Sequence, residues 1–123
     1  MLNLTENQPG NHHFIREVHE GRLVINDRSF SSSVVVGARL LEDQWPVRSL
    51  SELTKDSAEP ILTLEPELVV IGIGSKPIFP DASLQQLFFS RGIGLECMTL
   101  KAAARTFNIL MSENRRALAA LIL

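Results

Sequence analysis

The chain has 123 residues, which suits one domain, and 45% of them are hydrophobic, as in ordinary globular proteins. Twelve basic and fourteen acidic residues give a net charge of −2, and the basic residues are scattered, so nucleic acid is not an expected partner. Cys97 is the only cysteine, which excludes an intrachain disulfide, and no apolar stretch reaches the roughly 18 residues that a membrane helix needs.

The first eleven residues are polar and contain Pro9 and Gly10, so we expect a flexible N-terminal arm over residues 1–11. A single domain is expected over residues 12–123. The N-terminus has neither the basic flank and apolar run of a secretory signal nor the arginine-rich character of a transit peptide. These features predict a cytoplasmic protein without membrane insertion.

The first half of the domain predicts mostly antiparallel β-structure. Alternating apolar and polar residues over 13–27 indicate a hairpin or meander. The β-branched run Val34–Val36 indicates a further strand. The polar segment 42–60, which ends at a proline, predicts a loop with one helical turn near residues 50–53.

The second half predicts alternating strands and helices. The apolar run "PELVVIGIG" (66–74) is typical of a strand covered on both faces, and a helix should follow with Asp81 as its N-cap and Gly92 just after its end. A second strand is expected over 93–98. This order favours a parallel β-α-β unit.

The strongest helix signal begins at Thr99, a suitable N-cap, and runs to about residue 115. Its predicted apolar stripe comprises Leu100, Ala103, Ala104, Phe107, Leu110 and Met111. The segment "RALAALIL" (116–123) should close the chain as a last strand. The whole predicts an α/β fold: a mixed β-sheet with a C-terminal βαβαβ part and N-terminal antiparallel β additions.

The stretch "VVIGIGSKPIFPD" (69–81) raises the question of a phosphate-binding loop. Gly72 and Gly74 match a dinucleotide fingerprint, but Pro77 stands at its third glycine position, and Lys76 lacks the spacing of a P-loop. The next helix is expected to start late, at Asp81, whose carboxylate would repel an anion. The favoured interpretation is a tight exit from a buried strand.

A subtler site remains open at the carboxyl ends of the two predicted parallel strands, because ligands of open α/β sheets bind there. A polar stripe on the last helix extends it, and Glu96 is the one charge inside an apolar strand. The candidate binding crevice comprises Gly72, Gly74, Ser75, Lys76, Glu96, Thr99, Lys101, Arg105 and Asn108. The alternative is that Lys76 and Lys101 are solvated charges and that Glu96 forms a structural bridge to Arg105, Arg115 or Arg116.

No catalytic residue, metal site or cofactor is predicted. Cys97 is expected to be a buried structural thiol rather than a nucleophile, because all three histidines lie far from it near the N-terminus. His12 and His13 are adjacent and would point in opposite directions on a strand, which is poor geometry for zinc.

The C-terminal half, "ELVVIGIG" followed by "RGIGLECMTLKAAARTFNILMSENRRALAAL", resembles the adipogenesis-associated Mth938-type domain family, which includes the mitochondrial respiratory complex I assembly factor 3 group. The resemblance covers residues 12–123 and is strongest over 66–123. The matching positions are Gly72, Gly74, Gly92, Ile93, Glu96, Met98, Ala103, Thr106, Phe107, Asn108, Glu113 and Arg115. The chain departs from the family at Thr99, where Asp is frequent, and at Asn114, where Gly is frequent.

The resemblance implies a three-layer α/β fold with a mixed central sheet and no established reaction. It makes the chain similar to bacterial, cytoplasmic members. Three functions follow as hypotheses: a non-enzymatic binding or assembly module with a protein partner, an enzyme or sensor for a small anionic metabolite, and a homo-oligomer. The enzyme would use Lys76 and Arg105 to hold charge and Glu96 as acid or base. The homo-oligomer would pair through an unpaired apolar edge at the C-terminal strand.

Overall fold

The computed structural model describes residues 12–76 and 78–123, so the predicted arm over residues 1–11 lies outside the described residues. Three short strands form an antiparallel sheet in sequential order: β1 (Ile15–His19), β2 (Arg22–Ile25) and β3 (Arg28–Phe30). Gly21 turns the chain between the first two with a left-handed φ of 71°. The predicted hairpin is confirmed.

A second, five-stranded sheet is built from β4 (Val34–Val36), β5 (Leu41–Glu42), β6 (Leu68–Ile73), β7 (Gly94–Met98) and β8 (Ala117–Ile122). Its strand order is β5-β4-β8-β6-β7. β6 is parallel to β7 and β8, whereas β4 is antiparallel to both β5 and β8. The mixed sheet of the prediction is therefore confirmed.

Three α-helices flank this sheet: α1 (Lys55–Leu62), α2 (Ala82–Ser90) and α3 (Leu100–Ser112). Helix α3 and the three-stranded sheet pack on one face, and α1 and α2 pack on the other. Side chains of β8 alternate between the two cores, with Leu121 in the first and Ile122 in the second. The result is the three-layer arrangement that the family resemblance implies.

Helices α2 and α3 confirm the predicted caps and stripe. Asp81 Oδ1 accepts a hydrogen bond from Leu84 N at 2.9 Å, and Gly92 follows the helix with a φ of 70°. The buried residues of α3 are the six of the predicted stripe. Asn114, which follows α3, takes a left-handed φ of 57°, a conformation that asparagine tolerates better than most residues.

The prediction of a loop over 42–60 was wrong at its end, because α1 occupies residues 55–62. Thr54 and Ser57 form a reciprocal capping box, and Ala58, Ile61 and Leu62 bury one face of the helix. Pro60 lies inside this short helix, where it removes only the bond that would reach the carbonyl of residue 56. The expected helical turn near 50–53 is present as a 3₁₀ turn, Leu50–Glu52.

The expectation of an unpaired apolar edge at the C-terminus was also wrong. β8 lies in the centre of its sheet, between β4 and β6, and all six of its residues are buried. An apolar strand of this kind has both faces covered and both neighbours in place. The apolar composition of β8 is therefore explained by its central position in the sheet. It gives no basis for oligomer formation through β8.

Candidate functional site

A crevice of about 530 Å³ lies where the carboxyl ends of the parallel strands meet. The loops after β6 and β7, the last residues of β8 and the turn between β1 and β2 form its walls. It brings together four of the predicted residues: Gly74, Ser75, Thr99 and Lys101. His19, at the end of β1, and Glu20, in the β1–β2 turn, also line it. Sequence reasoning missed these two, because no local pattern indicates that the hairpin turn reaches the strand ends.

Gly72 and Gly74 have separate roles in the chain leaving β6. A Cβ at Gly72 would lie 2.5 Å from Ala103 Cβ and 3.3 Å from Leu100 Cα, so the missing side chain lets α3 approach the strand. Gly74 has a left-handed φ of 61° and nothing near its Cβ position. Its carbonyl accepts a hydrogen bond from Leu100 N at 2.9 Å. The glycines therefore serve a strand exit and a close helix contact, and Gly72 is buried.

The first turn of α3 has few amides left for a ligand. Leu100 N is bonded to Gly74, and Ala102 N donates to Thr99 Oγ1 at 3.2 Å. Within the part of the chain that the structure describes, this leaves the Lys101 amide as the open donor of that turn. The ammonium group of the exposed Lys101 is the main positive charge of the crevice lining.

The other predicted site residues lie elsewhere. Lys76 is exposed and is not part of the crevice lining. Glu96 is exposed on β7, at the edge of the sheet, and Arg105 is exposed on α3; neither lines the crevice. Nearness in sequence to the strand ends therefore does not place Lys76 or Glu96 on the surface of the crevice.

The predicted bridge between Glu96 and an arginine is not formed among residues 12–76 and 78–123. Arg115 Nε instead donates to Glu67 Oε1 at 2.9 Å. This hydrogen bond lowers the pKa of Glu67 and raises that of Arg115. Arg116 donates to the Glu65 carbonyl. These contacts are made between residues far apart in sequence, so spacing along one helix and one strand could not identify them.

Asn108 joins α3 to the three-stranded sheet. Its Oδ1 accepts from Ile15 N and its Nδ2 donates to Ile15 O, both at 2.9 Å. The amide side chain thus satisfies both backbone groups of Ile15 at the point where the β1–β2 register shifts. Both polar atoms of the amide are engaged with the protein itself.

Cys97 is half-buried on β7, and this desolvation raises the pKa of its thiol. A raised pKa keeps the thiol protonated at neutral pH, so the group is a poor nucleophile. At the crevice, His19 Nε2 lies 2.8 Å from Glu17 Oε1, a contact that lowers the pKa of Glu17.

Among residues 12–76 and 78–123, no group of three or more His, Cys, Asp or Glu residues could hold a metal ion. No described helix combines the length and the apolar character needed to cross a membrane.

A family model described as "Protein of unknown function (DUF498/DUF598)" matches residues 15–122. Among curated proteins, the "13 kDa major membrane protein" of Francisella tularensis subsp. holarctica is 27% identical over 103 residues, which are 83% of this chain and 84% of that protein. The "NADH dehydrogenase [ubiquinone] 1 alpha subcomplex assembly factor 3" of Danio rerio is 38% identical over 81 residues, or 64% of this chain. The chain spans about half the length of that relative (47%).

Solved structures share the whole fold. The solution structure of a Xanthomonas campestris protein is 33% identical, with a TM-score of 0.84 over 98% of this chain and 92% of its own. A Bordetella pertussis protein described as a Mth938-like domain is 23% identical, with a TM-score of 0.77 over 89% of this chain and 85% of its own. The second similarity concerns the fold alone.

Proposed function

This chain belongs to the family described as proteins of unknown function (DUF498/DUF598) and has the Mth938-like fold, and on that premise we propose that it is a non-enzymatic binding or assembly module. Its partner would be another protein, bound at least in part through the crevice at the carboxyl ends of the parallel strands. The proposal is supported by the names of several relatives, which are called assembly factors.

The observation that carries the proposal is the composition of the crevice. Val18, Leu100, Ile122 and Leu123 supply apolar wall, while Ser75, Thr99 and Lys101 supply polar groups at the same opening. A mixed lining of this kind fits a protein side chain with an apolar stem and a polar end, because apolar area supplies the free energy and the polar groups set orientation. An uncharged side chain that accepts a hydrogen bond, such as an amide, would meet the Lys101 ammonium group without repulsion from the Glu20 carboxylate of the same lining.

An enzyme or sensor for a small anionic metabolite is the second candidate, and Lys101 with Ser75 is the feature that favours it. Three observations weigh against it. The first turn of α3 offers one open amide, and the Glu20 carboxylate lines the same cavity, where it repels an anion. Glu96, the proposed acid or base, is not part of this lining.

Native mass spectrometry of gently purified protein tests the proposal. We expect a bound second polypeptide that is lost when Lys101 is changed to Glu. Arg105→Glu is the matched control, because Arg105 is an exposed charge one turn further along the same helix and does not line the crevice.

Two outcomes of this measurement would change the proposal. A bound small anion that is lost with Lys101→Glu would replace the proposal with the metabolite hypothesis. A bound polypeptide that is retained in Lys101→Glu would show that the crevice is not part of the binding surface.

Cytoplasmic location is part of the same proposal, and recovery of the native protein in a washed membrane fraction would contradict it.

A further inference from the structure

The outer edge of β7 presents backbone groups that no described strand pairs. β7 pairs with β6 on one side and ends the sheet on the other, as far as residues 12–76 and 78–123 are concerned. Gly94 N donates to Glu67 O at 3.0 Å, so in this parallel ladder Gly94, Glu96 and Met98 direct their backbone groups towards β6. The N–H and C=O groups of Leu95 and Cys97 consequently point outward.

A groove of about 450 Å³ runs between this edge and helix α2. Phe89, Ile93 and Leu95 give it an apolar floor, and Gln85 and Gln86 border it. Phe89 is 77% exposed, although it is a large aromatic side chain on a helix with a buried face. An exposed aromatic beside unpaired strand groups is a feature of surfaces that bind an extended peptide.

The opposite face of the same edge carries a negative charge. Leu95 packs with the core on the α2 side and Met98 with the core on the α3 side, so the strand alternation places Glu96 on the α3 side. Glu96 is exposed and has no ion pair among the described residues. The edge therefore has an apolar groove on one face and a free carboxylate on the other.

We propose that the edge of β7 binds an extended segment of a partner protein as an added strand. Leu95 and Cys97 supply its backbone hydrogen bonds. Side chains of the added strand alternate between the two faces of the sheet. Those on the α2 side cover Phe89 in the groove, and the neighbouring residue on the α3 side meets Glu96. The partner segment thus alternates apolar residues with a lysine or arginine.

Glu96 also argues against a second copy of this chain as the occupant. Two copies could pair their β7 strands along the full length only in an antiparallel arrangement with a twofold axis at residue 96, the midpoint of the strand. The two Glu96 carboxylates would then lie directly opposite each other. Like charges in that position destabilise the pair, whereas a cationic residue there stabilises it. The charge thus selects a partner of a different sequence.

This inference deepens the proposed assembly role by assigning a docking surface, but it does not depend on the crevice. The probe is a fluorescein-labelled heptapeptide with alternating valine and lysine residues and threonine ends. Its controls are the same peptide with glutamates for lysines and the same peptide with alternate backbone nitrogens methylated. Binding is followed by anisotropy and by residue-resolved amide exchange.

We expect the lysine peptide to bind and to slow amide exchange at Leu95 and Cys97 about tenfold when its concentration is ten times the Kd. The methylated peptide should not bind, because it cannot pair with the edge. The lysine peptide should bind about fivefold more tightly than the glutamate peptide, the scale of a cross-strand charge pair. Glu96→Lys should reverse that preference.

Matched variants separate this surface from others. Glu42→Lys changes an exposed carboxylate on β5, at the opposite edge of the same sheet, and should leave the preference unchanged. Phe89→Gln should weaken both peptides while the thermal unfolding midpoint is retained. Lys101→Glu should have no effect, so failure of the crevice proposal and failure of this one are distinguishable.

The proposal is overturned if peptide binding protects amides near Gly74 and Lys101 instead of β7. It is also overturned if the Leu95 and Cys97 amides are already protected in the free protein. In that case the same measurement on a variant lacking residues 1–11, together with the molecular mass in solution, identifies whether the arm or a second copy occupies the edge.

Discussion

Gly72 and Gly74 lie two positions apart at the end of β6, yet a side chain meets a different obstacle at each. At Gly72 the obstacle is packing, since an added Cβ would lie 2.5 Å from Ala103 Cβ and helix α3 would have to move. At Gly74 there is free space but a left-handed φ of 61°. The sequence alone gives both residues the same explanation.

The first prediction compares alanine at the two positions. Gly72→Ala should lower the free energy of unfolding by about 1–3 kcal/mol through overpacking. Gly74→Ala should cost about 1 kcal/mol, the usual penalty for a non-glycine residue in the left-handed region. Urea unfolding measures both, and a loss well below about 1 kcal/mol for Gly72→Ala would mean that α3 does not rest on Gly72.

Asn108 is the second residue whose role depends on contacts distant in sequence. Asn108→Ala leaves both backbone groups of Ile15 without their partner and should lower the free energy of unfolding by about 1–3 kcal/mol. Asn108→Asp keeps the acceptor but loses the donor, so we expect a similar loss at neutral pH that shrinks in acid as the carboxyl group gains a proton.

Ser112→Ala is the control for Asn108, because Ser112 is an exposed residue of the same helix whose hydroxyl donates to Ile109 O one turn earlier in that helix. It should change stability by less than about 0.5 kcal/mol. If Asn108→Ala were equally mild, the link between α3 and β1 would be energetically unimportant, and a binding role for the free amide would regain support.

At the scale of elements, local signals identified the helices whose caps and apolar stripes coincide. Asp81, Gly92 and Thr99 each mark a boundary that the structure confirms. Helix α1 was missed because Pro60 and the polar residues before it predict a loop. The capping box of Thr54 and Ser57 was the available signal, but only packing of Ile61 and Leu62 against the sheet makes so short a helix stable.

Helix α2 should show a pH-dependent cap. The Leu84 N–H, and then the Ser83 hydroxyl, lower the pKa of Asp81 in the folded protein. A lowered folded-state pKa contributes stability that is present above the unfolded-state pKa and is lost as the pH falls through the folded-state pKa. The urea midpoint should therefore fall more steeply between about pH 6 and about pH 3 in the native protein than in Asp81→Asn.

Asparagine keeps the N-cap acceptor without a titrating charge, so the difference between the two curves isolates the carboxylate. Identical curves would show that ionisation of the Asp81 carboxyl group does not contribute to the stability of the folded protein. Asp81→Ala should have a lower midpoint than either protein at neutral pH, because it has no cap acceptor.

At the scale of the whole molecule, β8 links the antiparallel and parallel parts of the five-stranded sheet and contributes side chains to both hydrophobic cores. It pairs with β4 and β6, and its side chains alternate between the two cores on opposite faces of the sheet. A chain ending at Arg116 should therefore fail to fold, with loss of the near-ultraviolet circular dichroism signal. Removal of Leu123 alone should leave a folded protein, because β8 ends at Ile122. A folded chain that lacks β8 would contradict the central position of this strand.

The amino-acid sequence by itself determined the class of fold, the boundaries of α2, and the start and buried face of α3, because caps and hydrophobic periodicity are local properties. It also indicated that Gly72 and Gly74, at the end of β6, mark a strand exit. The end of α3 was predicted near residue 115, whereas the helix ends at Ser112. Tertiary structure alone decided that β8 is central and that Gly74, Ser75, Thr99 and Lys101 share a crevice with the β1–β2 turn. It also assigned Arg115 to Glu67 and Asn108 to Ile15. These facts depend on the order of strands and on contacts between distant segments, which no local pattern encodes.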